Sequence, residues 1–216
     1  MWTAHWQCKN KMKKYLILIA GSPATGKTYL INEMRRVLGD FFLITPDEGK
    51  EILADQIGFD TPAEKKELEK KVWRFYYSAL ALYMEAGKRI VVSEYPFSEK
   101  QKDKLNTLVE KYDYEPITIR LVADFDVLWA RRKVRDIEPD RHLSHIMSHY
   151  HFGDELLNRR EADALITEEA FQEIIETREY DHFQLGSLTE FDVSDFSNVD
   201  YVPFLEELAE RIAENR

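Results

Sequence analysis

The sequence predicts an α/β protein of three layers, with a parallel sheet of about five strands, helices on both faces and a helical lid. Two observations predict it. Short apolar runs rich in β-branched residues alternate with longer segments of helical periodicity, the signature of repeated strand–helix–strand units. Each run also ends on polar or turn-forming residues, as strands do when their carboxyl ends form a binding edge. At 216 residues, 44% hydrophobic and 32% charged, the chain has the size and balance of one globular domain.

Tyr15-Leu16-Ile17-Leu18-Ile19-Ala20 reads as a buried first strand. Tyr29 to Leu38 is helical, with Leu30, Ile31, Met34, Val37 and Leu38 on one face. Phe41-Phe42-Leu43-Ile44-Thr45 is the second strand, ending before Pro46-Asp47. Thr61-Pro62-Ala63-Glu64 is a capping box with proline at the first helical position. The long helix it opens carries Val72, Tyr76, Ala79, Leu80 and Tyr83 as its apolar stripe and ends near Gly87. Its first turns, Glu64 to Lys71, are charged all round and are expected in solvent.

Arg89-Ile90-Val91-Val92-Ser93 is the third strand, closing on Glu94-Tyr95-Pro96. Ser98-Glu99-Lys100-Gln101 caps a helix bearing Leu105, Leu108, Val109 and Tyr112. Ile117 to Val122 is the fourth strand, followed by a helix from Asp126 to Arg135. A polar, histidine-rich stretch then runs to Arg160, and Glu168 to Thr177 forms another helix. Phe191-Asp192-Val193 is the last strand and Tyr201 to Ala213 the closing helix. No repeat, low-complexity tract or linker divides residues 13–216, which read as one domain.

Residues 1–12 are expected to be an extension or the product of a misassigned start, because Met12-Lys13-Lys14 sits directly before the first strand. The alternative is that Trp2 and Trp6 cover a sheet edge. The net charge of −10 argues against binding nucleic acid through a broad basic surface, but leaves a local basic cleft open. The single cysteine, Cys8, forms no internal disulfide, consistent with a reducing cytoplasm. No apolar run reaches the roughly 18 residues of a membrane span.

Gly21-Ser22-Pro23-Ala24-Thr25-Gly26-Lys27-Thr28 is a complete G-x-x-x-x-G-K-[ST] phosphate-binding loop. Its glycines let backbone N–H groups cradle phosphate oxygens, and the helix beyond it, beginning with Tyr29, aims its positive end at them. Lys27 brings a charge to the β- and γ-phosphates and the Thr28 hydroxyl is a Mg²⁺ ligand. The loop, flanked by strand and helix in the right order, implies binding of a nucleoside triphosphate.

Further polar groups follow the other strands. Asp47 is placed to accept a proton from an attacking hydroxyl; its bland reading is a helix cap. Glu94 is placed to hold Mg²⁺ through water or to orient an acceptor, against a plain loop carboxylate. Asp124 and Asp126 lead into a helix whose Arg131 and Arg135 share a face at i, i+4 spacing. Arginines of a mobile lid stabilise the charge that spreads over a transferring phosphoryl group. Arg132 and Arg141 are weaker candidates, and Asp124, Asp126, Asp136 and Glu138 would otherwise neutralise a solvated face. His142, His145, His149 and His151 read first as plain surface histidines and next as lid or substrate contacts, ahead of a metal site, since no HExxH or cysteine set accompanies them. Trp73, Phe75, Tyr76 and Tyr77 either line an acceptor pocket or form helix core.

Together the loop, Asp47, Glu94-Tyr95-Pro96-Phe97 and the Arg131-x-x-x-Arg135 pair resemble small P-loop kinases. The groups in question are the zeta-toxin and chloramphenicol-phosphotransferase type, the AAA-type ATP-binding domain of polynucleotide 5′-kinases, and the adenylate kinase class. The resemblance implies a P-loop NTPase fold, ATP as donor, Mg²⁺, a base or acceptor ligand at Asp47, lid arginines at Arg131 and Arg135, and adenine contacts between Val193 and Val199. Nucleotide kinases of that class carry Asp-Gly-[Phe/Tyr]-Pro-Arg where this chain has Glu94-Tyr95-Pro96-Phe97, which speaks against a nucleoside monophosphate acceptor. The expected activity is transfer of the γ-phosphate to a hydroxyl of a small molecule or a short nucleic-acid end, by a cytoplasmic monomer or homodimer. The rival is a regulatory NTPase switch, disfavoured because no apolar strand ends in a Walker B aspartate.

Overall fold

The computed structural model describes residues 12–214, so the expectations placed on Trp2, Trp6 and Cys8 lie outside the described residues. Five parallel strands form the sheet: β1 (Tyr15–Gly21), β2 (Phe42–Ile44), β3 (Ile90–Glu94), β4 (Glu115–Val122) and β5 (Ser187–Asp192), in the order β2-β3-β1-β4-β5. The chain therefore steps over β3 on leaving β1, returns, and crosses β1 to reach β4. That reversal opens a crevice at the carboxyl ends of β1 and β3, the place where open α/β sheets bind ligands. Ile19 pairs with Glu94 there, and the Tyr95 N–H donates to the Ile19 carbonyl at 3.2 Å.

β1 is buried along its whole length, and its alternation divides the core. Tyr15, Ile17 and Ile19 pack with Leu30, Met34, Leu205 and Leu208 from α1 (Lys27–Leu38) and α7 (Val202–Glu214). Leu16, Leu18 and Ala20 face the other layer, where α3 (Pro62–Glu85) and α4 (Glu99–Tyr112) supply Tyr76, Leu80, Leu105 and Val109. Of the aromatic cluster on α3, Tyr76 is core: its hydroxyl lies 2.8 Å from Ser93 Oγ, which donates to the Ile44 carbonyl. Phe75 is exposed, while Trp73 and Tyr77 pack on the edge of this layer.

The helix weighed as the bland reading of Asp47 is present as α2 (Pro46–Ile57). Thr45, not Asp47, caps it: the Thr45 hydroxyl accepts from the Glu48 N–H at 3.1 Å, with Pro46 in the first turn. Thr61 does the same for α3, accepting from Glu64 N–H at 3.2 Å.

The polar, histidine-rich stretch lies between α5 (Phe125–Asp136) and α6 (Glu168–Arg178). It folds as short 3-10 turns across α2 and the start of α3, burying Leu143, Ile146, Tyr150 and Ala162 against Ala54, Phe59 and Leu68. Consequently the first turns of α3 are not wholly in solvent, as expected from their charge: Leu68 is buried and Lys65 donates to the Met147 carbonyl at 3.0 Å. No helix among the described residues is long and apolar enough to cross a membrane.

Candidate active site

The phosphate-binding loop takes the conformation its glycines allow. Gly21, Ala24 and Gly26 all have positive φ, at 120°, 72° and 80°. A Cβ at Gly21 would lie 2.1 Å from the Leu121 carbonyl oxygen, so β4 packs too closely for any other residue. Thr25 is fully buried and its hydroxyl ties the loop together by donating to the Ser22 carbonyl at 2.9 Å. The first turn of α1 holds no acidic residue and no side-chain cap, which leaves its positive end facing the loop.

Lys27 folds back over the loop, its ammonium donating to the Gly21 and Ser22 carbonyls at 3.2 and 3.0 Å. Burial draws its pKa down to about 8, Glu94 opposing and nearby Arg135 adding to the shift. The Thr28 hydroxyl donates to Glu94 Oε2 at 3.4 Å, so the loop and the end of β3 meet as the crevice requires. Burial raises the Glu94 carboxyl above the usual carboxylate range, against the pull of Lys27.

A cavity of about 390 Å³ adjoins this pair, lined by Thr28, Asp47, Glu48, Glu94, Arg135 and Arg141 among others. Asp47 sits in the first turn of α2 and is half-exposed. Its partner is Lys50, whose ammonium lies 2.8 Å from Asp47 Oδ1 and donates to the Tyr95 hydroxyl at 3.3 Å. Burial would raise the Asp47 carboxyl, but the charges of Lys50 and His145 outweigh it and hold it far below the usual range. The same ion pair outweighs burial at Lys50 and holds its ammonium above its ordinary pKa. Sequence reasoning missed Lys50, although its i, i+3 spacing from Asp47 on a helix was the available signal.

The two lid arginines part company. Arg131 donates to the Val193 carbonyl at 2.8 Å and the Ser194 carbonyl at 3.2 Å, with its guanidinium 3.8 Å from the Phe196 ring centroid. It thus belongs to the loop after β5, beside a second cavity of about 350 Å³ formed by Gly26, Tyr29, Phe196, Val199 and Tyr201. Arg135 turns to the phosphate side, where it meets Arg132 and Arg141 around one buried carboxylate, Asp136. Arg132 bonds Asp136 Oδ2, while Arg135 and Arg141 stand 3.5 and 3.6 Å from Oδ1. Burial, together with the charges of Arg132 and Arg141, lowers the Arg135 pKa to about 10 against the pull of Asp136. Arg135 Nε and Arg141 Nε have no hydrogen-bond partner among the described residues. Three cations share one anion, which leaves this cluster with net positive charge. Asp136, read from sequence as surface neutralisation, is its buried anchor.

The histidines do not converge. His145 Nε2 lies 2.8 Å from Glu51 Oε1, His142 Nε2 lies 3.1 Å from Asp55 Oδ1, His149 pairs with Asp163, and His151 Nε2 lies 2.9 Å from Asp60 Oδ1. Each pins the insert to a different carboxylate, three of them on α2 or just before α3. Phe97 is core, stacked on Phe183 at 5.2 Å between centroids, which accounts for an apolar residue where a nucleotide kinase has arginine.

Sheet order, loop and crevice define the fold of a small P-loop kinase, and comparison with solved structures agrees. A candidate kinase of Chloroflexus aurantiacus J-10-fl superposes with a TM-score of 0.71 at 19% identity, covering 95% of this chain and 100% of that one. The tunicamycin resistance protein of Deinococcus radiodurans follows at a TM-score of 0.50 and 15% identity, covering 93% of this chain and 94% of that one. No protein-family model and no curated protein sequence matches the chain.

Proposed function

We propose that the chain is an ATP- and Mg²⁺-dependent phosphotransferase that moves the γ-phosphate to a hydroxyl of a small molecule. The observation that carries this reading is the single cavity onto which Thr28, Glu94, Asp47, Arg135 and Arg141 converge beside the phosphate loop. A switch NTPase needs the loop and the metal pocket. It has no use for a carboxylate and an arginine cluster facing each other across room for a second substrate. The fold shared with the Chloroflexus and Deinococcus proteins agrees with this assignment.

ATP lies with its phosphates in the loop and its adenine in the cavity of Gly26, Tyr29, Phe196, Val199 and Tyr201, under the Arg131 guanidinium. Lys27 exchanges its two carbonyl partners for phosphate oxygens, which restores its full charge. Thr28 and Glu94 would hold Mg²⁺: a hydroxyl and a carboxylate are the hard oxygen donors this ion takes beside phosphates and water, and no histidine or cysteine lines the cavity. Bound there, Mg²⁺ neutralises charge on the β- and γ-phosphates.

Asp47 accepts a hydrogen bond from the acceptor hydroxyl and points its oxygen at the γ-phosphorus. In a loose transition state the hydroxyl keeps its proton until late, so a carboxylate of low basicity serves, and its main contribution is alignment. As the P–O bond to ADP breaks and that to the acceptor forms, the proton passes to Asp47. Arg135, with Arg141 behind it, meets the charge on the transferring group. A cavity of about 390 Å³, to which the insert contributes Arg141, favours a small acceptor over a nucleic-acid end.

The test is transfer from γ-labelled ATP to a panel of hydroxyl acceptors by the wild type, Lys27→Ala and Asp47→Asn. Label in one acceptor class, lost in both variants, is the expected result. Label released only as inorganic phosphate, at a rate Asp47→Asn leaves unchanged, overturns the reading.

A further inference from the structure

Beside Lys50, the partner of Asp47, lies a smaller cavity that phosphoryl transfer itself does not use. It measures about 140 Å³ and is lined by Lys50, Phe59, Lys65, Glu69, Ser144 and His145, with further apolar side chains of α2 and α3. This is close to the roughly 150 Å³ of a cavity that takes up benzene, and gives room for a carboxylate or a phosphate group with the carbon next to it.

Its lining carries Lys50, Lys65 and Glu69; Lys50 is already paired with Asp47 at 2.8 Å, and the imidazole of His145 is bonded to Glu51. Lys65 makes no ion pair among the described residues. It donates to the Met147 carbonyl at 3.0 Å and lies 5.3 Å from the Phe59 ring centroid, where burial holds its pKa below the ordinary lysine range despite Glu69. A cation held this way gains most from an anion that arrives with its own charge. The wall is also preformed: the insert that supplies Ser144 and His145 is tied down by His142 on Asp55 and by Tyr150 on Asp55 at 2.6 Å.

We infer that this cavity receives a carboxylate or phosphate group of the acceptor, so that the substrate is an anion-bearing alcohol with its hydroxyl at Asp47. The inference rests on the phosphotransferase reading and names the substrate class within it. Lys50 joins the two ends, because it lines the small cavity and also holds Asp47 at 2.8 Å. An anion that draws the Lys50 ammonium toward itself loosens that pair and frees the carboxylate to take the hydroxyl hydrogen bond. A neutral alcohol leaves Asp47 engaged with Lys50 and Lys65 without a direct ion pair.

The experiment uses the full chain and matched sets of short polyols, each with a neutral, a carboxylate and a phosphorylated member. Transfer from γ-labelled ATP is measured for the wild type, Lys65→Gln and Lys65→Arg. The expected result is labelling of anionic members, with KM raised at least tenfold by Lys65→Gln, kcat within threefold, and KM restored by Lys65→Arg. Carboxylate and phosphate are separated by which member is labelled. A neutral acceptor preferred, with a KM that Lys65→Gln leaves unchanged, overturns the inference while the phosphotransferase reading stands. If no member is labelled, calorimetry on the Mg²⁺–ADP-saturated protein decides the cavity by itself. Anions that bind in the wild type and not in Lys65→Gln uphold it, and equal heats for neutral and charged members refute it.

Discussion

Replacing Asp136 with asparagine removes one negative charge from among Arg132, Arg135 and Arg141 while keeping the side chain's shape. The Asp136 side chain is 5% exposed, Arg132 15% and Arg141 17%, so water screens these pairs poorly. Arg135 is 35% exposed and stands 3.5 Å away, and its share is discounted accordingly. Breaking a buried ion pair from one side costs roughly 3–5 kcal/mol, because the remaining charge stays buried without its counter-ion. Most of that arises at Arg132, and a loss of about 3 kcal/mol is expected, or roughly 6–12 °C in Tm for a domain of this size. Urea unfolding of Asp136→Asn against the wild type at neutral pH measures it. Saturating Mg²⁺–ATP should recover more stability in the variant than in the wild type, since the γ-phosphate supplies the missing charge to Arg135. A loss under about 0.5 kcal/mol, with ATP affinity unchanged, would show that the arginines are individually solvated and refute the clamp.

Other consequences follow from the loop and its neighbours. Lys27, drawn down to about 8, is partly neutral at pH 8 without nucleotide, and phosphates raise its pKa. ATP binding should therefore take up about half a proton at pH 8 and almost none near pH 6, where the group is already charged; calorimetry in buffers of different ionisation enthalpy reads this, and no uptake at pH 8 contradicts it. Gly21→Ala places a methyl group 2.1 Å from the Leu121 carbonyl oxygen at a φ of 120°. It should cost at least about 2 kcal/mol in urea unfolding, and a neutral result would mean that β1 and β4 are less tightly joined than the register implies. Arg131→Ala should weaken ATP binding about tenfold while kcat stays within about threefold, whereas Arg135→Ala should lower kcat by about 10²-fold or more; the reverse pattern would contradict the division of the two arginines.

Local pattern carried most of the fold. The phosphate loop, the strand ends and the Thr61-Pro62-Ala63-Glu64 cap are signals contained in a few neighbouring residues, and all appear in the structure. Thr45-Pro46-Asp47-Glu48 carries the same threonine, proline and glutamate spacing and begins α2, so the helix that the sequence offers as the bland reading of Asp47 is real, with Thr45 and not Asp47 as its cap. Tertiary choices were not legible. Arg131 and Arg135 share a helix face, yet long flexible side chains follow whatever lies at their tips, here the carbonyls after β5 for one and Asp136 for the other. The insert looked like solvated, histidine-rich chain because its partners, Glu51, Asp55 and Asp60, lie some ninety residues earlier. Lys65 read as one charge in a charged turn for the same reason.

The fate of the γ-phosphate in a single turnover tests the central claim most directly. Enzyme in excess over γ-labelled ATP, supplied with its best acceptor, is sampled for label in ester and in inorganic phosphate. The account predicts that the wild type places nearly all label in ester. It also predicts that Asp47→Asn slows ester formation by roughly 10²–10⁴-fold without weakening ATP binding. Label appearing as inorganic phosphate at equal rates in both proteins, with or without acceptor, would contradict it.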